Sequence, residues 1–267
     1  MNYVLRDAPV QNNNLLNERI SIIIPAYNEE KRIKPILNEV CSFINERKLP
    51  WNVILSIDGT DGTETIANEF SYQFGFIRIL KSDSRSGYGG AIKRAVKEVT
   101  GNFVIILEAD GALDFSVVVD NLYWLNNYDI VNFNRHANKE NKIPLTRRLL
   151  SKGYNLFIEQ LFDLDVTDVQ GGYKMLRTEA AKALFKKITI TGGFFQAALF
   201  FYSKRLKFTV KEVRVPYRHI GGSKFDIGRM IMGGLVSGLA LRIRNSRFYR
   251  YVPKEFVNLY YKKFRWI

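Results

Sequence analysis

A chain of 267 residues, 46% of them hydrophobic, can bury a full core and is expected to form one large domain. With a quarter of its residues charged and 13% aromatic, its composition excludes an intrinsically disordered protein. The formal net charge of +14 favours anionic partners: nucleic acid, phosphorylated small molecules or an anionic membrane surface.

The chain carries few signals of export or membrane insertion. Cys41 is the only cysteine, so no intrachain disulfide can form, as is typical of a reducing compartment. Residues 1–19 are polar and lack the apolar core of a signal peptide, so none is expected. The most apolar stretch, Met230–Ile243, is shorter than a spanning helix and contains Arg242.

The first half of the chain alternates β-branched runs, typical of buried strands, with segments of helical spacing. Strands are predicted at RISIIIPAY (stopping at Pro25), WNVILSI, FGFIRILK, NFVIILEA and YDIVNF. Helices are predicted between them at NEEKRIKPILNEVCSFINER (with Asn28 as N-cap), TETIANEF, GGAIKRAVKEV and FSVVVDNLYWL. This alternation predicts an α/β fold: a mostly parallel sheet with helices on both faces.

The pattern changes after Asn134. It predicts a basic amphipathic helix at LTRRLLSKGYNLFIEQLF, a strand at GGYKMLR and a helix at TEAAKALFKK. A long strand at LKFTVKEVRVPY and two further helices complete the chain. No internal repeat or clear linker interrupts it.

Unusual residues follow each of the first four predicted strands. In open α/β sheets, ligands bind at the carboxyl ends of the strands. The four segments are Pro25-Ala26-Tyr27-Asn28-Glu29, Asp58-Gly59, Ser86-Gly87-Tyr88-Gly89-Gly90 and Glu108-Ala109-Asp110. Their convergence on one edge predicts a binding site there.

Glu108 and Asp110 are the candidate metal ligands. They are two residues apart at the predicted end of the fourth strand, and would point to one side if both lay within it. Two carboxylates can share a hard divalent cation, which in turn can hold a substrate diphosphate. Taken alone, the tripeptide fits equally well a pair of solvated acids that cap the next helix.

The two preceding loops each allow two interpretations. Asp58 begins a Gly- and Asp-rich turn in which Thr63 could cap the next helix, or it could bind a nucleotide base or ribose. Gly87, Gly89 and Gly90 at a predicted helix start could bind phosphate through backbone N–H groups, or could allow tight packing.

Cationic segments follow in the second half. Arg135 precedes a predicted helix on which Arg147 and Ser151 share a face, and guanidinium groups suit phosphate oxygens. Arg218 and Lys224 flank a Gly-rich loop that could close over a diphosphate. For each segment the alternative is a solvated basic surface.

Taken in order, these motifs resemble those of family-2 glycosyltransferases, and within them the polyprenyl-phosphate (dolichyl-phosphate) hexose synthases. The similarity spans Ile20 to Ile227. Its segments are SIIIPAYNEE, IDGTDGT, GYGGAIKRAV, LEADGALD at the position of a D-x-D motif, FNRHA, RRLLSKGYN, DVQGGYKMLR and EVRVPYRHIGGSK. Two departures stand out: Glu108 replaces the first Asp of D-x-D, and Ile57 replaces the first of two nucleotide-side acids.

The resemblance implies a GT-A (Rossmann-like) fold, a UDP-glucose or GDP-mannose donor, and Mg²⁺ or Mn²⁺. It implies inverting transfer of the hexose to a polyprenyl or dolichyl phosphate. Carried over by position, the donor would contact Pro25, Tyr27, Glu29, Asp58, Glu108, Ala109, Asp110, Arg218 and Lys224. Glu108 and Asp110 would hold the metal, and Arg135, Arg147 and Ser151 the acceptor phosphate. Asp110, Arg135 and Arg147 would carry the catalytic roles.

Three regions are expected: an N-terminal extension (1–19), a GT-A domain (20–227) and C-terminal amphipathic helices at a membrane interface (228–267). Residues 240–267 carry eight basic residues and one acidic residue. Phe256, Tyr260, Phe264 and Ile267 fall on one helical face there. These features predict a peripheral or monotopic protein on the cytoplasmic side of a membrane. Alternatively, the first of the two helices packs on the core or on another subunit.

Other functions stay open. A family-2 transferase that elongates a saccharide would need a carboxylate base, for which Asp168 is the candidate. A nucleotide-sugar-binding protein without catalysis is a second alternative. A nucleic-acid-binding protein is disfavoured because no RNA- or DNA-binding motif is present. The sequence does not determine the oligomeric state.

Overall fold

A computed structural model describes residues 14–82, 84–135, 145–192, 194–217, 227–253 and 255. Its sheet has seven strands: β1 (Ile20–Tyr27), β2 (Asn52–Asp58), β3 (Ile77–Ser82), β4 (Phe103–Ile106), β5 (Ile130–Asn134), β6 (Lys174–Arg177) and β7 (Val210–Arg214). They are ordered β3-β2-β1-β4-β6-β5-β7. Only β6 is antiparallel to its neighbours, β4 and β5. The prediction of a mostly parallel sheet is therefore confirmed.

Eight α-helices are described: α1 (Ile33–Arg47), α2 (Thr63–Gln73), α3 (Tyr88–Val96), α4 (Phe115–Asp120), α5 (Leu145–Phe162), α6 (Thr178–Lys187), α7 (Phe195–Arg205) and α8 (Ile227–Arg244). Short 3₁₀ turns occupy Asn14–Asn17, Leu122–Asn126 and Arg247–Tyr251. The bounds predicted for α5 and α6 are confirmed.

Helices cover both faces of the sheet because successive strand residues point to opposite sides. On one face, Ile22 and Ile24 of β1 pack in a cluster with buried residues of α1, α2 and α4. On the other, Ile23 lies in a cluster with residues of α3, α5, α6 and α7. Both layers are closely packed, so the polar edge of the sheet rests on a rigid support.

Two predicted features of the first β–α unit are wrong. Strand β1 does not stop at Pro25 but pairs with β2 as far as Tyr27. Proline is tolerated because its missing N–H points to the β4 side, where the ladder ends at Ile23. Asn28 does not cap α1. It lies four residues before the cap, with φ of 53°, and its Oδ1 accepts a hydrogen bond from Thr60 N at 3.0 Å.

Other bounds also differ from the predictions. Strand β4 ends at Ile106 rather than Ala109, and a turn follows in which Gly111 N donates to the carbonyl of Glu108 at 3.4 Å. Glu108 and Asp110 therefore follow the strand instead of lying within it. Thr63 is the first residue of α2 and not its cap. The long strand predicted near Val210 is only five residues long.

The C-terminal region is described in part. Helix α8 includes the predicted Met230–Ile243 segment and packs against α5 and α7. Its Leu241 is buried, whereas Leu239 and Ile243 are exposed. None of the helices in the described part of the chain has the length and apolar character needed to cross a bilayer. The predicted face of Phe256, Tyr260, Phe264 and Ile267 lies outside the described residues, as do residues 1–13.

Candidate active site

The loops after β1 and β2 are joined by hydrogen bonds. Glu29 N donates to Thr63 Oγ1 at 2.7 Å, and both carboxylate oxygens of Glu29 accept from Arg32, each at 2.7 Å. Tyr27 lies at the end of β1, with the guanidinium of Arg85 4.2 Å from its ring centre. The predicted nucleotide-side residues of the first loop therefore lie in a preformed turn.

Asp58 connects the end of β2 to the loop before α3. It is 3% exposed, and its Oδ2 accepts from both the backbone N and the Oγ of Ser86 at 2.6 Å. Its Oδ1 accepts from Arg94 Nη2 at 2.8 Å. Both oxygens of this predicted nucleotide ligand thus already serve to hold two loops together.

Glu108 follows β4 and is the most perturbed acid of the site. Burial raises its pKa to about 7, and the nearby charge of Asp110 adds to this, whereas Arg135 and Lys174 oppose it. Its Oε2 is buried and has no hydrogen-bond partner among the described residues. Gly172 lies against this carboxylate so closely that a Cβ there would overlap it. Position 172 must therefore be glycine for Glu108 to keep this conformation.

Asp110 lies in the turn that follows, and its Oδ1 accepts from Ala112 N at 3.1 Å. The repulsion between its charge and that of Glu108 is what a divalent cation would relieve. Within the described ranges, no group of three or more His, Cys, Asp or Glu residues could hold a metal ion. Two carboxylates suffice where substrate phosphates and water complete the coordination, as is usual for Mg²⁺. The residues present therefore fit a metal shared with a diphosphate.

Arg135 closes the other side of the site, at the end of β5. Its Nε and Nη2 donate to the two oxygens of Asp168 at 2.9 and 3.0 Å, and Asp168 is fully buried. Burial alone would lower the pKa of Arg135, but Asp168 raises it above its ordinary value. The guanidinium is thus a fixed cation beside Glu108. Its charge opposes the rise in the pKa of Glu108 that burial causes.

Lys174 is a functional candidate that the sequence analysis did not single out. It is 1% exposed at the start of β6, and its Nζ donates to the carbonyl of Gly171. Burial lowers its pKa to about 7 even though Asp168 and Glu108 act in the opposite direction. The sequence signal was its position in DVQGGYKMLR, where a charged lysine stands at the start of a predicted apolar strand.

Tyr88 was also missed as a site residue. Its hydroxyl donates to the carbonyl of Gly172 at 3.3 Å, and its pKa is raised well above its usual value by burial and then by Glu108. A hydrogen bond from Gln196 opposes this shift. Tyr88 therefore joins the start of α3 to the Glu108 loop and to α7.

The four loops predicted to converge do so, and Arg135 joins them. Pro25 and Ala109 are placed in this region as parts of β1 and of the Glu108 loop. Arg147 and Ser151 lie in the first two turns of α5, but their side chains are outside the described part of the structure. Arg218 and Lys224 lie outside the described residues.

The sequence is similar to those of known glycosyltransferases. The sequence profile described as glycosyl transferase family 2 matches residues 21–185. The chain is 29% identical over 235 residues to a dolichyl-phosphate beta-glucosyltransferase of Dictyostelium discoideum, covering 81% of this chain and 72% of that protein. It is 30% identical over 227 residues to a dolichyl-phosphate beta-glucosyltransferase of Trichomonas vaginalis, covering 79% and 69%.

A solved structure has a similar fold. Glucosyl-3-phosphoglycerate synthase from Mycobacterium tuberculosis, crystallised with Mn²⁺, UDP-glucose and glycerol 3-phosphate, superposes with a TM-score of 0.67. The two chains are 18% identical, and the match covers 89% of this chain and 86% of that one. At this identity the likeness establishes the α/β fold of glycosyltransferase structures and not the substrates.

Proposed function

The chain belongs to glycosyl transferase family 2, and we propose that it transfers glucose from UDP-glucose to a polyprenyl or dolichyl phosphate. The observation that carries this proposal is the similarity, along four-fifths of the chain, to relatives that bear the name dolichyl-phosphate beta-glucosyltransferase. The paired acids and fixed arginine at one edge of the sheet supply the charges that such a reaction needs.

The acceptor phosphate would be bound by Arg135, together with Arg147 and Ser151 of α5. A phosphate monoester is anionic near neutral pH, so it needs no protein base to attack the anomeric carbon. The residues must instead reduce the repulsion between two anionic substrates and align them. Arg135 suits this because its ion pair with Asp168 fixes its position. Attack opposite the departing diphosphate inverts the anomeric configuration.

On the donor side, Pro25, Tyr27, Glu29 and Asp58 would border the nucleotide, and Arg218 and Lys224 would close on its diphosphate. Glu108 and Asp110 would hold Mg²⁺ or Mn²⁺, which when bound supplies Lewis-acid stabilisation of the leaving diphosphate. Gly172 leaves room for the Glu108 carboxylate, and Tyr88 holds the carbonyl of Gly172.

We further propose that the protein acts as a peripheral or monotopic protein at the cytoplasmic face of a membrane, with residues 228–267 at the interface. Support comes from α5 and α8, which pack against each other and expose Leu149, Leu156, Leu239 and Ile243. Exposed arginines follow immediately, at positions 242, 244, 247 and 250. Apolar side chains beside clustered cations favour anionic lipid surfaces.

The alternative of saccharide elongation is not favoured by the surroundings of Asp168. That reaction needs an accessible carboxylate base, whereas Asp168 is fully buried and binds Arg135 through both oxygens.

The proposed function is tested by incubating the protein with radiolabelled UDP-glucose or GDP-mannose, Mg²⁺ or Mn²⁺, and either a polyprenyl phosphate or an oligosaccharide. We expect label from UDP-glucose in the lipid fraction, released by mild acid. Label in the oligosaccharide alone would reject the lipid acceptor. Absence of transfer with every donor and metal would favour a non-catalytic nucleotide-sugar-binding protein.

A further inference from the structure

The loop between α5 and β6 carries Asp168, the residue that fixes Arg135. Residues 163–173 form turns and irregular backbone, yet Asp168 is fully buried. Its two oxygens accept three hydrogen bonds from Arg135, donated by the backbone N, Nε and Nη2 at 2.9 to 3.0 Å. Asp168 can hold the guanidinium in one place only if the loop is itself held.

Glu212, a half-buried residue of β7, holds this loop through its carboxylate. Its Oε1 accepts from Asp168 N at 2.9 Å, and its Oε2 accepts from Thr167 Oγ1 at 2.7 Å. Thr167 N donates to both oxygens, at 3.2 and 3.3 Å. Two consecutive backbone N–H groups and one hydroxyl therefore share one carboxylate, and hydrogen bonds to an ionised acceptor are stronger than those between neutral groups.

The sheet presents further polar groups to the same loop. Asn132 of β5 is opposite Glu212 in the β5–β7 register, and its Nδ2 donates to Asp168 O at 2.9 Å and to Glu212 Oε1 at 3.2 Å. Asn134 lies two residues further on, and its Nδ2 donates to Thr167 Oγ1 at 2.7 Å. Glu212 is the charged member of this group, so its loss should disturb the loop the most.

We infer that Glu212 is a positioning residue for the acceptor-phosphate site. It anchors the backbone of Thr167 and Asp168, and the Asp168 carboxylate then sets the direction in which Arg135 presents its guanidinium. This inference rests on the proposed function, because it takes Arg135 as the ligand of the acceptor phosphate. A misplacement of about 1 Å in such a group is enough to lower the rate substantially.

The sign of the effect separates positioning from simple electrostatics. Glu212→Gln removes a negative charge near the site, so Coulomb attraction alone would make an anionic ligand bind more tightly. Loss of the anchor would make it bind more weakly, because the amide places an N–H group where a carboxylate oxygen accepted hydrogen bonds. A role limited to stability would reduce the fraction of folded protein and leave the affinity of the folded fraction unchanged.

Calorimetric titration with citronellyl phosphate, a short polyprenyl phosphate, measures this affinity without turnover. Glu212→Gln should weaken binding about tenfold and leave the affinity for UDP within about twofold. Thr167→Val removes one of the groups that Glu212 holds, and should weaken binding about threefold; it carries the test if Glu212→Gln does not fold. The matched control is Glu98→Gln, the same charge change at an ion pair with the exposed Arg78, which should alter neither affinity.

The Nε–H resonance of Arg135 tests the positioning step with no substrate present. Nuclear magnetic resonance of arginine-labelled protein detects it, and its loss in Arg135→Lys identifies it. Exchange of this hydrogen with water should be slow in wild type and in Glu98→Gln, and at least about tenfold faster in Glu212→Gln, because the N–H donates to a buried carboxylate that is then less firmly held.

Unchanged or tighter binding of citronellyl phosphate by Glu212→Gln would overturn the inference. An equal loss of UDP affinity would also overturn it, because Glu212 would then act on the whole fold. If wild type does not bind citronellyl phosphate, the proposed acceptor is wrong, and the Arg135 resonance still decides whether Glu212 positions the guanidinium. Unchanged exchange in Glu212→Gln would show that it does not.

Discussion

The two sides of the sheet edge differ in how their polar atoms are paired. Around Asp58, both carboxylate oxygens accept hydrogen bonds from Ser86 and Arg94. On the Glu108 side, Oε2 of Glu108 and Oε1 of Gln196 are buried without partners in the described part of the chain, and the pKa of Glu108 is raised to about 7. Both oxygens of Asp58 are therefore paired without a ligand, although Nε of its partner Arg94 is buried with no described partner, whereas the carboxylate of Glu108 gains the most from a ligand.

This difference separates scaffold from reacting centre. Polar groups that already pair with each other fix the loops, and a substitution there should cost stability. Unpaired and electrostatically strained groups cost stability and are retained where they bind or react. Substitutions on the Asp58 side should thus lower mainly stability, and substitutions on the Glu108 side should lower mainly activity.

The largest effect is expected at the paired acids. Glu108→Gln and Asp110→Asn should each lower kcat for glucose transfer about a thousandfold, because the leaving diphosphate loses its metal-mediated stabilisation. Steady-state kinetics with labelled donor measure the loss, and circular dichroism should show that both variants are folded. Activity within about tenfold of wild type in both variants would remove these acids from the mechanism.

Next in size is Gly172→Ala. The added Cβ would overlap the Glu108 carboxylate, so the acid must move, and a displacement of this kind typically costs about a hundredfold in rate. The matched control is Gly75→Ala, where a Cβ meets open space. Equal activity of the two variants would show that the position of Glu108 does not matter.

On the Asp58 side, Arg94→Met should lower the free energy of unfolding by about 2 kcal/mol, because it leaves the buried Asp58 carboxylate without its cation. Arg78→Met breaks an exposed ion pair with Glu98 and should cost less than about 0.5 kcal/mol. Urea titration measures both. Similar costs for the two substitutions would contradict the scaffold role of the Asp58 network.

Lys174 provides a pH test of the strained side. Its pKa is about 7 when folded and near its ordinary value when unfolded, so between these values the unfolded chain binds more protons. The free energy of unfolding of wild type should therefore rise with pH in this window, whereas that of Lys174→Met should not contain this contribution. The amount by which Lys174→Met is more stable than wild type should be largest near pH 7 and shrink by about 1.4 kcal/mol per pH unit.

Chemical denaturation at several pH values between 7 and 9.5 provides the comparison. Lys182→Met, at an exposed position of α6, should show a constant difference from wild type. A pH-independent difference for Lys174→Met would mean that the lysine does not lose its proton on folding.

The sequence predicted the architecture because periodicity and turn residues are local signals. It could not predict the direction of β6, since an antiparallel strand in a covered sheet is as apolar as a parallel one. Helix α7 was missed because eight of its eleven residues are buried, which removes the amphipathic period. Strand β4 was predicted to be too long because Leu107, which is buried, continues the apolar run of the sequence.

The site was predictable where chain order brings motifs to the strand ends. Glu108, Asp110 and Arg135 lie together for that reason. Gln196 gave no signal, because a polar residue within a helix is ordinarily expected to be solvent-exposed. Its hydrogen bond to Tyr88 follows from burial between helices, which only tertiary packing determines. The pairing of Asp168 with Arg135 likewise depends on a contact across 33 residues of sequence.

The most direct test of the contrast between the two sides is the affinity for Mn²⁺ at saturating UDP, measured by electron paramagnetic resonance. Wild type, Glu108→Gln and Arg94→Met are compared in the same buffer. We predict that Glu108→Gln weakens Mn²⁺ binding at least about tenfold, whereas Arg94→Met, although less stable, binds Mn²⁺ like wild type. Unchanged binding by Glu108→Gln, or an equal loss in Arg94→Met, would contradict the assignment of Glu108 to the reacting centre.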